Sequence, residues 1–263
     1  MEYQTVQFNT EAGVATIVLN RPDAFNAFTI EMGEELQHAV GRCRAEDDIR
    51  AVVITGTGKA FSSGGDIRAM HEALQGDIQA HFLRLTKSVH DAVLAIRALP
   101  KPVIAAINGV VAGGALGFAL SCDLRIASEA AKFNTAYLNI AGTPDCGNSY
   151  FLTHAVGLFK ATELLLLPEN IDAAEALRIG LVHRVVPAAE LKQRTNELAN
   201  RLATSPTVAI GRMKRLLNSA LHNDLSAQLN DEGWSIALSG ATEDFREGIS
   251  AFLAKRPAQF KGR

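Results

Sequence analysis

Two glycine-rich turns, each placed between a buried strand and a helix, constrain the fold of this chain more than any other feature of its sequence. The first turn, residues 56–65, follows an apolar strand predicted at residues 51–55. The second turn, residues 109–114, follows a strand predicted at residues 103–107 and opens into a helix. A backbone N–H at the start of a helix lies at the positive end of its dipole. The sequence therefore predicts an α/β fold with two turns that can bind an anion.

The apolar spacing predicts a repeated order of two strands and a helix over most of the chain. A hairpin is predicted from residues 5–8 and 14–19, and a helix follows from the N-cap Thr29 to about Ala45. A long helix is predicted at residues 78–98. We expect residues 1–203 to form an α/β core.

From residue 188 onward the sequence is almost entirely helical in pattern, and we expect residues 204–263 to form a C-terminal helical region. Its apolar positions recur at helical spacing. They include Leu216, Leu217, Leu221, Leu225 and Leu229. These leucines could pack on the core of the same chain or contact another subunit, and the pattern alone does not decide between the two.

The composition excludes several classes of protein. Of 263 residues, 48% are hydrophobic and 21% are charged, and the net charge is -2, which indicates neither a nucleic-acid partner nor disorder. The three cysteines lack paired spacing, so we expect no disulfide framework and no metal site. No apolar run approaches the roughly 20 residues of a membrane span, and no targeting segment is visible. We expect a cytoplasmic protein.

The two turns can present two converging backbone donors, one of which is the Gly114 N–H at the start of the predicted helix. Each donor that is aligned with a developing oxyanion stabilises the transition state by about 2.7–4 kcal/mol. The alternative is that these glycines only make tight turns. The sequence surrounding them favours the first interpretation.

Four segments in order resemble those of the enoyl-CoA hydratase/isomerase (crotonase) family, and together they cover nearly the whole chain. The segment at residues 20–27 reads Asn-Arg-Pro-Asp-Ala-Phe-Asn-Ala, like the family segment beside coenzyme A. Residues 59–67 and 101–123 resemble its two oxyanion turns. Residues 244–252 resemble its terminal helix.

The resemblance implies a crotonase (ClpP-like) fold with a ββα spiral core and a C-terminal helical region that forms trimers, which often stack into hexamers. It implies an acyl-CoA thioester substrate, in which coenzyme A enters as part of the substrate and no separate cofactor is needed. Oxyanion donors are implied at Gly65 and Gly114. The residues implied to line coenzyme A are Arg21, Ala24, Phe25, Ser62, Gly64, Asp66 and Ile67.

The sequence departs from the family hydratases at their two glutamate positions, which fall on Gly117 and Tyr137. A different acid, Asp145, lies in a Pro-Asp-Cys-Gly segment that resembles the phenylacetate-pathway isomerases, where this aspartate is the acid/base. The 4-chlorobenzoyl-CoA dehalogenases have a nucleophilic aspartate at a related position, a histidine at the place of His90 and a tryptophan at the place of Tyr137. The resemblance thus marks Asp145, His90 and Tyr137 as candidate catalytic residues.

Each of these three residues also has a structural interpretation. Asp145 could be the N-cap of a helix that begins near Gly147. His90 could be a core or surface histidine, and Tyr137 could form an apolar pocket wall instead of donating a hydrogen bond.

Three hypotheses for function follow from these residues. The first is double-bond or ring isomerisation, or a related enolate-forming step, on an acyl-CoA with Asp145 as acid/base, because one carboxylate suffices to move a proton. The second is displacement or hydrolysis at an aryl-CoA or acyl-CoA, with Asp145 as nucleophile and His90 activating water. The third is a family member that binds CoA thioesters without catalysis.

Overall fold

Two β-sheets and ten helices organise the chain, and the computed structural model describes residues 1–263. The strands are β1 (Val6–Glu11), β2 (Val14–Leu19), β3 (Ala51–Gly56), β4 (Ala60–Ser62), β5 (Val103–Ile107), β6 (Val110–Ala112), β7 (Leu124–Ser128), β8 (Lys132–Asn134), β9 (Ile171–Asp172) and β10 (Arg184–Val186). The helices are α1 (Ile30–Ala45), α2 (Ile67–Ala73), α3 (Ile78–Ala98), α4 (Gly114–Ser121), α5 (Asn148–Leu166), α6 (Ala173–Arg178), α7 (Leu191–Ala203), α8 (Thr207–Ser219), α9 (Leu225–Gly240) and α10 (Glu243–Leu253).

Each ββα repeat from β3 onward contributes one strand to each of the two sheets. The larger sheet has the order β1-β2-β3-β5-β7-β10 and is parallel except for the β1–β2 hairpin. The smaller sheet has the order β4-β6-β8-β9, in which β4, β6 and β8 run parallel. Each of β3, β5 and β7 is followed along the chain by one strand of the smaller sheet and then by a helix. This arrangement confirms the predicted ββα fold.

Helix α1 begins where the sequence predicts. The Thr29 hydroxyl accepts a hydrogen bond from the Met32 N–H at 3.1 Å, which satisfies one of the N–H groups that a helix leaves free at its start. The buried face of α1 includes Met32, Leu36 and Val40, all within the main hydrophobic core. Burial of each such side chain contributes about 1.5–3 kcal/mol to the free energy of folding.

The smaller sheet was not predicted from the sequence. The two segments that the sequence predicts as glycine turns contain the strands β4 and β6, each only three residues long. A three-residue strand is too short to show an alternating pattern, and the neighbouring glycines dominate the local signal. The first hairpin strand also runs further than the predicted residues 5–8, to Glu11.

The C-terminal helices are anchored on the α/β core through a buried lysine. Lys214 of α8 donates to Asp123 Oδ2 at 2.7 Å and to the Ile96 carbonyl at 2.8 Å. Much of the apolar surface of α8–α10 nevertheless remains uncovered. The exposed apolar residues there include Met213, Leu217, Leu225, Leu229, Trp234, Ile236, Phe252 and Leu253. No helix in the structure has both the length and the apolar character needed to cross a membrane.

Candidate active site

Three pieces of the site follow the ends of three neighbouring parallel strands. Gly65 comes three residues after β4, Gly114 two residues after β6, and Tyr137 three residues after β8. Because the carboxyl ends of parallel strands meet at one edge of a sheet, residues that are distant in sequence lie close together there. The smaller sheet is therefore the frame of the candidate site.

The two glycine turns touch each other. A Cβ atom added to Gly64 would lie 2.7 Å from the Ala112 carbonyl oxygen and 3.2 Å from the Gly114 nitrogen, so only glycine fits there. Gly64 also has φ +86°, a conformation that glycine adopts at little cost. The close contact brings the first turn directly against the start of α4.

Both proposed donors have free N–H groups at this junction. The Gly65 N–H donates to no acceptor within the protein. Its neighbours make the backbone hydrogen bonds to Phe28, since the Gly64 carbonyl accepts the Phe28 N–H and the Asp66 N–H donates to the Phe28 carbonyl. Gly114 is the first residue of α4, so its N–H is one of those that the helix leaves without an intrahelical acceptor. Two N–H groups on touching turns can bind an oxyanion.

Apolar side chains border the first donor. The Met70 methyl group and Leu85 Cδ2 occupy the space beside Gly65 that a Cβ atom would take, with Leu85 at 3.6 Å from that position. These residues come from α2 and α3. These two side chains cover one side of the Gly65 backbone.

Asp145 lies against the second donor and is held by Tyr137. A Cβ atom on Gly114 would lie 2.8 Å from Asp145 Oδ1, so the carboxylate is adjacent to the start of α4. The Tyr137 hydroxyl donates to the same Oδ1 at 2.7 Å. Burial, followed by the charge of Asp145, raises the pKa of Tyr137 well above its ordinary value, so the hydroxyl keeps its proton. Asp145 and Tyr137 thus form a polar pair beside the candidate oxyanion site.

His90 holds the same loop from α3. Its Nε2 accepts the backbone N–H of Cys146 at 3.0 Å, which requires a neutral imidazole with its proton on Nδ1. Burial raises the pKa of the Cys146 thiol, so that group is not a thiolate at neutral pH. The structure therefore brings Asp145, Tyr137 and His90 together around one loop.

The loop also fills the place where hydratases have their first glutamate. A Cβ atom on Gly117 would collide with the Cys146 carbonyl oxygen and would lie 2.9 Å from the Asn148 nitrogen. Helix α4 can approach the loop this closely only with glycine at position 117. The second glutamate position holds the buried Tyr137.

The helix-capping interpretation of Asp145 is wrong. Helix α5 begins at Asn148, its N-cap is Gly147, and no side chain caps it. The Asp145 carbonyl, and not its carboxylate, accepts the Asn148 N–H at 2.9 Å. The carboxylate faces Tyr137 and Gly114 instead, which leaves it available for chemistry.

The residues expected to line coenzyme A gather around the first turn. The Arg21 guanidinium donates to Asp66 Oδ2 at 2.9 Å and to the Ala27 carbonyl at 2.7 Å, and the Phe25 carbonyl accepts the Ser63 N–H. Asp66 also caps α2. Burial tends to raise the pKa of Asp66, but hydrogen bonds from Arg21 and from α2 outweigh it and lower the pKa below the usual value.

The same residues differ in their exposure. Phe25 and Ile67 are large apolar residues that are 53% and 55% exposed, and Ala24 is half-buried. Ser62 has no exposed surface, and its hydroxyl accepts the Gly64 N–H at 3.2 Å. Its side chain supports the turn from within the core and offers no exposed atom to a ligand. A cavity of about 290 Å³ is lined by Arg21 together with Ala69, His81 and Leu85, among other residues.

Comparison with known proteins agrees with the geometry. A family model described as enoyl-CoA hydratase/isomerase matches residues 9–263, nearly the whole chain. The chain belongs to the enoyl-CoA hydratase/isomerase family. Among solved members of that family, an enoyl-CoA hydratase from Bacillus anthracis superposes with a TM-score of 0.93 at 31% identity, covering 99% of this chain and 100% of the other.

Relatives within the enoyl-CoA hydratase/isomerase family carry both kinds of name. The 1,2-epoxyphenylacetyl-CoA isomerase of Escherichia coli is 37% identical over 97% of both chains. The short-chain-enoyl-CoA hydratase of Clostridium acetobutylicum is 35% identical over the full length of both chains. Because the two identities are nearly equal, overall similarity does not choose between isomerase and hydratase, and the choice depends on the site.

One polar residue of the candidate site was not predicted from the sequence. Asn148 is fully buried, and its side-chain amide donates to the Tyr137 hydroxyl at 2.6 Å and to the Gly113 carbonyl at 3.0 Å. It lies next to the Pro-Asp-Cys-Gly segment, but an asparagine after a glycine is typical of any turn, so the sequence gives no particular signal for it.

Proposed function

We propose that this chain catalyses double-bond isomerisation of an acyl-CoA thioester through an enolate. In this proposal Asp145 carries the proton, and the N–H groups of Gly65 and Gly114 bind the thioester oxygen. The observation that carries the proposal is one distance. Asp145 Oδ1 lies 2.8 Å from the position that a Cβ atom added to Gly114 would take. A carboxylate this close to an oxyanion donor is within reach of the carbon next to the thioester carbonyl.

The chemistry needs only one carboxylate. Asp145 removes a proton from C2 of a 3-enoyl thioester, and the electron pair of that C–H bond passes through C1 to the thioester oxygen. The two glycine N–H groups stabilise the resulting dienolate, at about 2.7–4 kcal/mol for each aligned donor. The same proton then returns from Asp145 to C4, the double bond moves to C2–C3, and the aspartate is regenerated.

Hydration is less well supported because it uses two carboxylates. Position 117 has no room for a side chain beside the Cys146–Asn148 backbone, and position 137 is a tyrosine whose hydroxyl is already bonded to Asp145. Neither position can supply the acid that would activate water. The site therefore favours moving a proton over adding water.

Displacement at an aryl-CoA, the second hypothesis, requires His90 to activate water. In this structure the Nε2 of His90 accepts the Cys146 N–H, and its remaining nitrogen carries a proton. A histidine bonded in this way has no free lone pair for a water molecule. This contact favours a role for His90 in holding the loop.

The decisive experiment follows conversion of hex-3-enoyl-CoA to hex-2-enoyl-CoA, together with deuterium uptake from D2O measured by mass spectrometry. Asp145→Asn keeps the shape of the side chain and removes the base, so we expect kcat to fall by roughly 10²–10⁴-fold with little change in substrate binding. Asp47→Asn, at an exposed position, is the matched control and should retain activity. Retained exchange in folded Asp145→Asn protein would contradict the proposal.

Two further assays separate the other hypotheses. Chloride release from 4-chlorobenzoyl-CoA would support displacement, and the His90→Gln protein would then accumulate a covalent adduct on Asp145. Binding of acyl-CoA without exchange, isomerisation or halide release would support the binding-protein hypothesis.

We also propose that coenzyme A lies along the first turn and that the chain assembles into trimers or dimers of trimers through residues 204–263. Exposed Phe25 and Ile67 support the first proposal, because they present an apolar surface next to Arg21. Exposed Trp234 and Phe252 support the second, because large apolar side chains in adjacent helices are typical of subunit interfaces.

A further inference from the structure

We propose that Asn148 is a positioning residue, which directs the Tyr137 hydroxyl at Asp145 Oδ1 and so leaves Oδ2 as the oxygen that takes the proton. The inference rests on the proposed role of Asp145 as acid/base. It concerns how that carboxylate is prepared for proton transfer.

The orientation of the Asn148 amide is fixed by its neighbours. Its Nδ2 lies 3.0 Å from the Gly113 carbonyl oxygen and 3.3 Å from the Asp145 carbonyl oxygen. Both oxygens can only accept hydrogen bonds, so the nitrogen end of the amide must face them. The residue has no exposed surface, which leaves the amide no alternative partner in solvent. The same Nδ2 is therefore the atom that lies 2.6 Å from the Tyr137 hydroxyl.

The direction of the tyrosine hydrogen bond follows from this. The Tyr137 hydroxyl accepts from Asn148 Nδ2 at 2.6 Å and from the Asp145 backbone N–H at 3.2 Å. A hydroxyl has one proton to give, and its accepting sites face these donors. The proton is left to donate to Asp145 Oδ1, at 2.7 Å. Asn148 thus occupies an accepting site of the hydroxyl and helps to orient its proton toward the carboxylate.

The two oxygens of Asp145 become different as a result. Oδ1 accepts the Tyr137 hydroxyl, whereas no nitrogen or hydroxyl group of the protein donates to Oδ2, and the Cys146 thiol is the other donor beside this carboxylate. A proton taken from substrate goes to the free oxygen, since the other is already occupied. Without Asn148, the tyrosine hydroxyl could turn to the Asp145 carbonyl oxygen, 3.3 Å away, and Oδ1 would lose its donor.

A purely structural role for Asn148 is the competing interpretation, because its amide also ties the second glycine turn to the start of α5. The two interpretations differ in what depends on Tyr137. If Asn148 acts through the tyrosine, its effect on the protonation of Asp145 must disappear when the hydroxyl is absent. A structural effect would persist.

The test is a double-mutant cycle of Asn148→Leu and Tyr137→Phe, with the pH dependence of kcat/KM for hex-3-enoyl-CoA isomerisation as the readout. Leucine has nearly the shape of asparagine but cannot donate. The base must be ionised to act, and the Tyr137 donor favours the ionised form, so the acid limb of the profile should move to higher pH in each single variant. In the double variant the limb should coincide with that of Tyr137→Phe. Cys146, the other titratable group beside this carboxylate, and His90, which accepts the Cys146 N–H, are unchanged in every variant.

A matched control accounts for lost buried hydrogen bonding. Thr135→Val removes the buried bond from the Thr135 hydroxyl to the Leu164 carbonyl, which touches neither Tyr137 nor Asp145, and should leave the acid limb in place. The inference is overturned if Asn148→Leu lowers kcat without moving the limb, or moves it equally in the presence and absence of the hydroxyl. If Asp145→Asn retains exchange, the proposed function itself fails, which is a separate result.

Discussion

The Nε2 of His90 lies 3.0 Å from the backbone nitrogen of Cys146 and accepts its N–H, one residue beyond the proposed acid/base. Removing this acceptor leaves a buried N–H unpaired, which costs about 1–3 kcal/mol. We therefore expect His90→Ala to lower the free energy of unfolding by that amount, measured by urea denaturation, and to lower kcat by about 10-fold through a displaced Asp145. Unchanged stability together with an adduct on Asp145 would instead indicate a chemical role for His90.

Position 117 gives a second prediction, because the backbone of the Asp145 loop occupies its side-chain space. We expect Gly117→Ala to lower the free energy of unfolding by about 1–3 kcal/mol, the usual range for overpacking. Gly41→Ala on α1 is the matched control, since nothing lies within 4 Å of its Cβ position. That substitution should stabilise the protein by up to about 1 kcal/mol, as alanine favours a helix over glycine. Equal effects in the two urea titrations would contradict this account of position 117.

The sequence could predict the ββα order and the two glycine turns because both have local signals. Thr29 marks the start of α1, and the apolar run at Val103–Ile107 marks a buried strand. The smaller sheet could not be predicted, since a strand such as Val110–Ala112 is defined by its partners and has no period of its own.

The candidate site divides in the same way. Asp145 was found through resemblance to a family segment, and its helix-capping alternative could be rejected only from the structure. Asn148 was missed because its contacts, to Tyr137 and Gly113, cross distances of 11 and 35 residues along the chain. A local sequence pattern can predict where a turn lies. It cannot predict a hydrogen-bond network between turns that are distant along the chain, because the network depends on how those turns pack together.

The two glycine donors should respond differently to alanine, although alanine keeps the N–H in both cases. At Gly65 the added Cβ meets the flexible end of Met70, which can move away. At Gly114 it meets Asp145 Oδ1 at 2.8 Å and Cys146 Sγ at 2.9 Å. We expect Gly114→Ala to lower kcat by about 10-fold more than Gly65→Ala, since a small displacement of a catalytic group is costly. Comparable kcat values for the two alanine variants would argue against the placement of Asp145.

Removing the second donor altogether should cost more. Gly114→Pro deletes the N–H, and we expect turnover of hex-3-enoyl-CoA to fall by about 10²-fold or more while acyl-CoA binding persists. Because proline also adds bulk, circular dichroism must confirm the fold of the variant. Normal turnover by a folded variant would remove Gly114 from the mechanism.

Glu35 anchors the start of the N-terminal strand, and we expect the stability of this anchor to depend on pH. Its buried carboxylate accepts the N–H groups of Gln4, Thr5 and Val6 and the Thr5 hydroxyl. Burial tends to raise its pKa, but these hydrogen bonds outweigh burial and lower it below the ordinary 4.5. A depressed pKa contributes stability that is present above pH 4.5 and is lost as the pH falls through the folded value.

Glu35→Gln should therefore be less stable than the parent protein at pH 7, by about 1–3 kcal/mol, and should lose less stability between pH 5 and pH 3. Glu34→Gln, at the exposed neighbouring position, should follow the parent curve. The measurement is the urea midpoint of each protein across this pH range. If the midpoints of Glu35→Gln and the parent protein changed equally with pH, the carboxylate of Glu35 would not be the acid-sensitive group.

The oligomeric state of the protein gives another prediction. Size-exclusion chromatography with light scattering should give a mass of three or six times the 28.1 kDa chain. Leu225→Glu combined with Trp234→Glu, which places charge at two exposed apolar positions of α9, should release smaller species, whereas Leu177→Glu on α6 should not. A monomeric parent chain would exclude the proposed oligomer.

The frame of the site has a consequence for folding kinetics. Strands β4, β6 and β8 are separated by about fifty and twenty residues of chain, so their pairing closes long loops and belongs among the slower events of folding. Since both proposed glycine donors and Tyr137 follow these strands, an intermediate that has formed only the larger sheet lacks the proposed thioester site. Acquisition of ligand binding during refolding should therefore lag behind secondary structure, and a bound acyl-CoA would slow the unfolding of the smaller sheet in particular.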